Sequence, residues 1–249
     1  MLLKDKVCVI TGAASARGIG RGTAKMMAEH GAYVVILDLD GEAANATAAG
    51  ITQRGFGLAC DVTDPAACRR AVEDILERAG CIDVLVNNAG VSQPLKLMDI
   101  SRADYDKVLD VSLRGTLNMS QAVTPSMRSR RAGSIVCIAS VSGQQGGGLF
   151  GGPHYCAAKA GVMGLARAMA RELGPDNIRV NSIAPSWIDT DITAGMTDEA
   201  REKIIASVPL GRGGRTEDVA GAIVFLASDL SAYITGTTID VNGGSFLHP

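Results

Sequence analysis

Unbroken apolar runs, separated by longer stretches of helical character, constrain this chain more than any other feature. Val7-Cys8-Val9-Ile10, Val34-Val35-Ile36-Leu37, Val84-Leu85-Val86 and Ile135-Val136-Cys137-Ile138 offer no polar residue to turn toward water. Strands of that kind are buried on both faces, as in a parallel sheet with helices packed on each side. Strands are expected at 6–11, 33–38, 56–60, 83–87, 134–139, 178–184 and 238–241. Helices are expected at 18–29, 42–54, 65–79, 102–130, 153–173 and 217–227, the longest bent near Gly115 or Pro125. Alternation of the two kinds of element predicts an α/β fold, a doubly wound parallel sheet of about seven strands. With 249 residues and no linker or repeat, residues 1–249 read as one domain. The glycine-rich stretch 143–152 fits neither pattern, and residues 186–214 read as a substrate loop carrying short helices over a pocket mouth.

Composition narrows the function classes. A net charge of −2 leaves no basic footprint for nucleic acid or an anionic membrane surface. No apolar stretch is long enough to span a bilayer, and the chain enters a strand-like run with no signal peptide ahead of it. Six scattered cysteines without a Cys-x-x-Cys pair read as reduced thiols, so a cytoplasmic protein is expected. His30, His154 and His248 lie far apart in sequence, so no metal site is expected.

The first strand runs into Thr11-Gly12-Ala13-Ala14-Ser15-Ala16-Arg17-Gly18-Ile19-Gly20 and then a helix. Glycines there let the backbone turn sharply and approach a pyrophosphate, which rests on the helix N-terminus. The second strand ends at Asp38, eighteen residues beyond Gly20. A carboxylate at that place takes the hydroxyls of an adenosine ribose and repels a 2′-phosphate. Arg17 pulls toward the 2′-phosphate, but Asp38 occupies the ribose position itself, so NAD is expected over NADP. A Rossmann dinucleotide site follows.

Tyr155 and Lys159 are four residues apart near the start of the helix opened by Pro153, one turn apart on one face. A phenol with pKa about 10 is a poor proton donor or acceptor at neutral pH unless a nearby cation lowers it. The spacing therefore reads as an acid–base tyrosine with its tuning ammonium.

Taken in order, Thr11-Gly12…Gly18-Ile19-Gly20, Asp61, Asn87-Asn88-Ala89-Gly90, Ser140, Tyr155…Lys159 and Arg179-Val180-Asn181-Ser182-Ile183-Ala184-Pro185 resemble the short-chain dehydrogenase/reductase family over essentially the whole chain. Within it, the chain is most similar to carbonyl reductases and 3-oxoacyl carrier-protein reductases. The resemblance implies that Gly12, Ser15, Arg17, Gly18, Ile19 and Gly20 bind the pyrophosphate side. It puts Asp61 and Val62 beside the adenine, and Asn88, Ala89 and Gly90 under the ribose. Pro185, Ile188 and Thr190 are implied at the nicotinamide end, Ser140 at the substrate oxygen, Tyr155 as proton donor, and Lys159 on the nicotinamide ribose. It also implies a homotetramer built through the helices 102–130 and 153–173.

Three positions depart from the family pattern. Five residues separate Gly12 from Gly18, where many members have three; Ser112 stands where the family usually has an asparagine of the proton relay; and Ser186 replaces a common glycine. Ser142, thirteen residues before Tyr155, rivals Ser140; the direct continuation of the strand into Ser140 favours the latter. His154 reads as a surface or loop-packing residue and Cys156 as a packing residue. The substrate pocket is expected from 91–97, 141–152 and 187–196, where Leu95, Leu149, Phe150, Trp187, Ile192 and Met196 suit a neutral ketone or secondary alcohol. Two other readings stay open. One is an NADPH-dependent 3-oxoacyl thioester reductase whose carrier protein lands on Arg128, Arg130, Arg131 and Arg171; the other is a dinucleotide-binding protein without turnover.

Overall fold

A computed structural model of the chain describes residues 1–147, 151–191 and 195–247. Seven parallel strands form one sheet in the order β3-β2-β1-β4-β5-β6-β7. They are β1 (Val7–Thr11), β2 (Tyr33–Asp38), β3 (Gly55–Ala59), β4 (Val84–Asn87), β5 (Gly133–Ile138), β6 (Ile178–Pro185) and β7 (Thr238–Val241). This is the Rossmann architecture the apolar runs predict. Strand order reverses between β1 and β4, so a crevice opens there at the carboxyl ends of the strands, where open α/β sheets bind ligands.

Strands β1, β2, β4, β5 and β6 feed two cores, because alternate side chains point to opposite faces. Cys8 and Ile10 pack with α1 (Ile19–Glu29), α2 (Gly41–Ile51) and α9 (Thr216–Ala227) through Ala24, Met27, Ala44, Ala48, Val219 and Ile223. Val7 and Val9 join the opposite core with α3 (Pro65–Ala79), α5 (Gly115–Arg130) and α7 (Pro153–Leu173). Signals written in the sequence set the helix ends. Asp64 caps α3, with Pro65 at its first position and Gly80 in the left-handed conformation at its end. Ser101 and Asp104 form a reciprocal capping box at α4 (Arg102–Leu109).

The expected single helix 102–130 is three pieces. Between α4 and α5, residues Asp110–Arg114 form a π turn, in which the Gly115 N–H bonds the carbonyl of Asp110. Such wide turns expose backbone and side chains differently from an α-helix and recur at functional sites. Pro125 lies inside α5 without ending it. α2 stops at Ile51, earlier than expected, as Thr52 turns extended. Asp83 lies outside β4; its carboxylate accepts the Val7 N–H at 2.8 Å and pairs with Arg130. The two unassigned stretches contribute α6 (Ser142–Gln145) and α8 (Asp198–Ser207). Among the described residues, no helix is long and apolar enough to cross a membrane.

Two glycines give opposite outcomes. A methyl at Gly57 runs into the backbone of Ala44 and Asn45, where α2 rests on β3, whereas one at Gly50 meets nothing. Gly57→Ala is expected to cost about 2–3 kcal/mol, lowering the melting midpoint by roughly 5–10 °C. Gly50→Ala in α2 should raise stability by about 0.5–1 kcal/mol. Thermal denaturation of both variants checks this; equal effects would contradict the close α2–β3 approach.

Candidate active site

The carboxyl ends of the strands open into a cleft of about 760 Å³. It runs from Asp38 and Leu39, past Gly12, Ser15, Gly18 and Ile19, to Trp187, Ile204 and Ser245. Its floor depends on a close meeting of two loops. Gly12 has φ +63°, and a Cβ there would lie 2.7 Å from Ala89 Cα. A Cβ on Gly20 would lie 2.6 Å from Asn88 Nδ2. That amide donates to the carbonyls of Thr11 (2.9 Å) and Gly12 (2.8 Å), while Thr11 Oγ1 accepts the N–H groups of Asn88 and Ala89, each at 3.0 Å. Gly20 therefore packs behind the loop and is not part of the cleft lining, contrary to the expected pyrophosphate contact.

These residues fit a dinucleotide. The N-cap of α1 is Gly18, which has no side chain to claim the first-turn N–H groups, so they remain a cradle for a pyrophosphate. Asp38 is held on the cleft wall: Oδ2 accepts the Ala14 N–H at 2.9 Å and Oδ1 that of Leu39 at 2.8 Å. Asp61 accepts the Thr63 N–H and hydroxyl at 2.9 and 2.7 Å, and the Val62 carbonyl accepts from Asn118 Nδ2 at 2.9 Å. Both 61 and 62 line the cleft, as do Asn88, Ala89, Gly90, Pro185, Ile188 and Thr190.

Arg17 departs from expectation. Its guanidinium pairs with Asp189 at 2.7 Å and its side chain lines a second groove, outside the cleft. The lengthened loop is instead stitched to the segment after β6, since Asp191 Oδ2 accepts the Ser15 hydroxyl at 2.7 Å and the Arg17 N–H at 3.1 Å. Those two bonds, with the charge of Arg17, hold the Asp191 carboxyl below its usual range.

At the inner end, Ser140 follows β5, and Tyr155 and Lys159 project from the first turns of α7. The Ser140 side chain stands close enough to the Tyr155 phenol to act on its pKa, lowering it. Ser142 also lines the cleft but begins α6 and donates its N–H to Ser140 Oγ at 3.1 Å. The geometry therefore pairs Ser140, and not Ser142, with the tyrosine. Lys159 is buried and donates to the Ile138 carbonyl at 2.7 Å. A Cβ on Gly90 would lie 3.3 Å from Lys159 Nζ and 3.5 Å from Ser112 Oγ, so both groups flank the space that this glycine leaves open. Ser112 sits in the π turn, outside the cleft lining; its buried hydroxyl has no hydrogen-bond partner among the described residues.

The electrostatics correct the sequence reading. Burial pushes the Tyr155 phenol above its ordinary range, and the Ser140 side chain opposes that rise. Lys159 does not bring it down: Nζ stands 5.8 Å from the ring centroid, and burial lowers the ammonium itself to about 8. Near pH 7 the phenol is protonated and the lysine remains about nine-tenths charged.

His154 is buried rather than exposed, with Nε2 at 3.0 Å from Gln93 Oε1. Of the expected pocket residues, Leu149, Phe150 and Ile192 lie outside the described residues, and Leu95 and Met196 do not line the cleft. Asp191, Ser207 and Ser245 line it without having been singled out. Asp191 could have been found from its place two residues beyond Asp189, both acidic beside a basic glycine loop; the two serines carry no such signal.

Lys159 makes stability depend on pH. Its folded pKa lies below its unfolded value, so the unfolded chain binds more protons between about pH 8 and 10.5, and stability rises with pH across that window. Relative to Lys159→Met, the wild type should gain about 1–3 kcal/mol between pH 7 and pH 10 in denaturant titrations. A constant difference would remove the buried ammonium from this account.

Comparison with known proteins agrees with the geometry. The family model described as "Enoyl-(Acyl carrier protein) reductase" matches residues 12–245. An uncharacterized short-chain type dehydrogenase/reductase, y4mP, of Sinorhizobium fredii is 53% identical over 100% of both chains. The 3-oxoacyl-[acyl-carrier-protein] reductases FabG of Thermotoga maritima and Escherichia coli are 42% and 39% identical, covering 98% and 99% of this chain and 99% and 100% of theirs. The crystal structure of gox2181 superposes with a TM-score of 0.92 at 32% identity, over 98% of this chain and 96% of that one. The chain thus belongs to the short-chain dehydrogenase/reductase family, as an NAD(P)-dependent oxidoreductase acting on CH–OH and C=O groups.

Proposed function

We propose that this enzyme transfers a hydride between NAD(H) and a neutral ketone or secondary alcohol. The observation that carries the reading is the joining of two ends in one cleft: Asp38 at the outer wall, and Ser140, Tyr155 and Lys159 at the inner end. Among the described lining residues, Lys159 is the one lysine or arginine, which suits a neutral substrate better than a phosphate or carboxylate.

Asp38, Gly12, Ser15, Gly18 and Ile19 would hold the adenosine and pyrophosphate, and Asn88 to Gly90, Pro185, Ile188 and Thr190 the nicotinamide half. Bound in reduced form, the cofactor supplies the hydride. Negative charge then grows on the carbonyl oxygen, and donors fixed at that oxygen stabilise the transition state more than the ground state. Ser140 and Tyr155 are those donors in this reading. A phenol raised by burial is protonated at neutral pH, ready to release its proton to the developing alkoxide. Lys159, charged and anchored on the Ile138 carbonyl, offers its remaining N–H groups beside Gly90. Ser112 would extend that proton path in place of the longer asparagine.

The preference for NADH follows from charge. Asp38 lines the outer end of the cleft, and Arg17, the cation that would favour a 2′-phosphate, is paired with Asp189. The FabG relatives favour a second reading, NADPH-dependent reduction of a 3-oxoacyl thioester. Opposing it, Arg128 pairs with Asp176 and Glu172, Arg130 with Asp83, and Arg131 bonds the Pro175 carbonyl, so three arginines of the expected landing patch are engaged within the chain. We further infer a cytoplasmic homotetramer assembled through α5 and α7, consistent with exposed Leu117 and with small residues along α7.

The deciding experiment follows nicotinamide absorbance with NADH and NADPH, an aryl ketone and a 3-oxoacyl thioester. Ketone turnover with NADH is expected, falling by about 10²–10⁴ in Tyr155→Phe while NADH binding is kept. Asp38→Ser should erode the NADH preference at least about tenfold. Thioester turnover with NADPH would favour the second reading, and cofactor binding without turnover a non-catalytic one. Light scattering at micromolar concentration is expected to give four chains; a monomer would defeat the assembly.

A further inference from the structure

His154 immediately precedes Tyr155, yet nothing in the reaction above uses it. Its imidazole is 2% exposed. Nε2 lies 3.0 Å from Gln93 Oε1, and Gln93 Nε2 donates to Asp104 Oδ1 at 3.1 Å. Asp104 is itself fixed by the capping box of α4, its other oxygen accepting the Ser101 hydroxyl at 2.5 Å. The order of donors along this chain is forced. An ionised carboxylate only accepts, so the Gln93 amide must turn its NH₂ to Asp104 and its oxygen to His154. That oxygen also only accepts, so His154 carries its proton on Nε2. Nδ1 is buried with no hydrogen-bond partner among the described residues.

The bridge joins pieces that must keep their distance. Val91 and Ser92, next to Gln93, form one wall of the cleft, and Tyr155 stands on another. The backbones already meet where the Gly152 N–H bonds the Gln93 carbonyl at 2.9 Å. A Cβ on Gly152 would collide with the Leu95 carbonyl, so the segment lies tight against the entry to α7. The His154 side chain adds a link to Gln93 through its side chain, on top of these backbone contacts.

We propose that His154 is a positioning residue, which through Gln93 fixes the 91–93 wall against the start of α7 and thereby sets the width of the cleft in front of Tyr155. This rests on the reading that a carbonyl substrate lies in that cleft. His154 acts without touching the reacting atoms, and its effect falls on how bulky substrates are held. Displacement of a wall by about 1 Å is enough to alter rates by an order of magnitude or more.

The test has one arm without substrate. The chain has three histidines, so ¹H–¹⁵N long-range spectra are simple to assign by comparison with His154→Leu. His154 is expected to carry a proton on Nε2 bonded to Gln93, and Gln93→Leu should abolish that preference. An Nδ1–H tautomer, or a spectrum indifferent to Gln93→Leu, would overturn the tether whatever the enzyme turns over. In the second arm, His154→Leu and Gln93→Leu should each raise KM for a bulky aryl ketone about tenfold, with kcat changed less and the NADH Kd unchanged. The double variant should be no worse than either single one. His154→Gln keeps an N–H within reach of Gln93 and should recover most of the loss. An unchanged KM, additive losses, or a Gln variant as impaired as Leu would sink the proposal. Failure of the wild type to reduce any carbonyl compound would instead sink the functional reading, leaving the tautomer to decide the tether.

Discussion

Two backbones meet where the strand order reverses, and the site depends on that meeting. Thr11 and Asn88 tie the end of β1 to the end of β4 with four hydrogen bonds, and Gly12 and Gly20 have no Cβ because the opposite loop occupies that space. The arrangement leaves no room for error: a side chain at Gly12 would need both a strained φ and a displaced β4 loop. Glycines usually credited to ligand approach thus also perform packing between strands. The cleft exists because this junction turns both loops outward instead of letting one cover the other.

From that junction, burial does most of the chemical tuning. Tyr155 and Lys159 share a low-dielectric pocket, and burial moves them in opposite directions, because each loses solvation in its charged form. A protonated phenol beside an ammonium with a pKa of about 8 suits proton donation to an alkoxide near neutral pH. The reverse reaction requires the phenolate, and the structure provides little help from Lys159 at 5.8 Å from the ring centroid. The Ser140 side chain acts against the rise that burial imposes on the phenol.

Local signals were legible where a single element carries them. Continuous apolar runs gave the strands, and Pro65, Gly80 and Pro153 marked helix ends, because each acts through backbone geometry within a few residues. Asp38, Tyr155 and Lys159 were legible because spacing along one strand or helix fixes their direction. Features set by distant partners were not. Arg17 is turned away from the cleft by Asp189, 172 residues later, and no local pattern states that pairing. The π turn at 110–114 changes the hydrogen-bond register without changing composition, so a single long helix was the natural reading. His154 read as either a surface or a loop-packing residue; it packs on a loop, and its partner Gln93, 61 residues earlier, is not stated by any local pattern.

The same distinction applies to position 112, where this chain departs from the family pattern. An asparagine at position 112 would extend farther from the π turn, whereas Ser112 leaves its hydroxyl buried near the space beside Gly90, without a partner among the described residues. Burying an unsatisfied hydroxyl costs about 1–3 kcal/mol, so the shorter residue carries a penalty unless something bonds it. Lys159 Nζ, with one of its three N–H groups on Ile138, borders the same space. Two hydrogen-bonding groups from separate elements, the π turn and α7, are thus turned to one buried space that the missing Cβ of Gly90 leaves open.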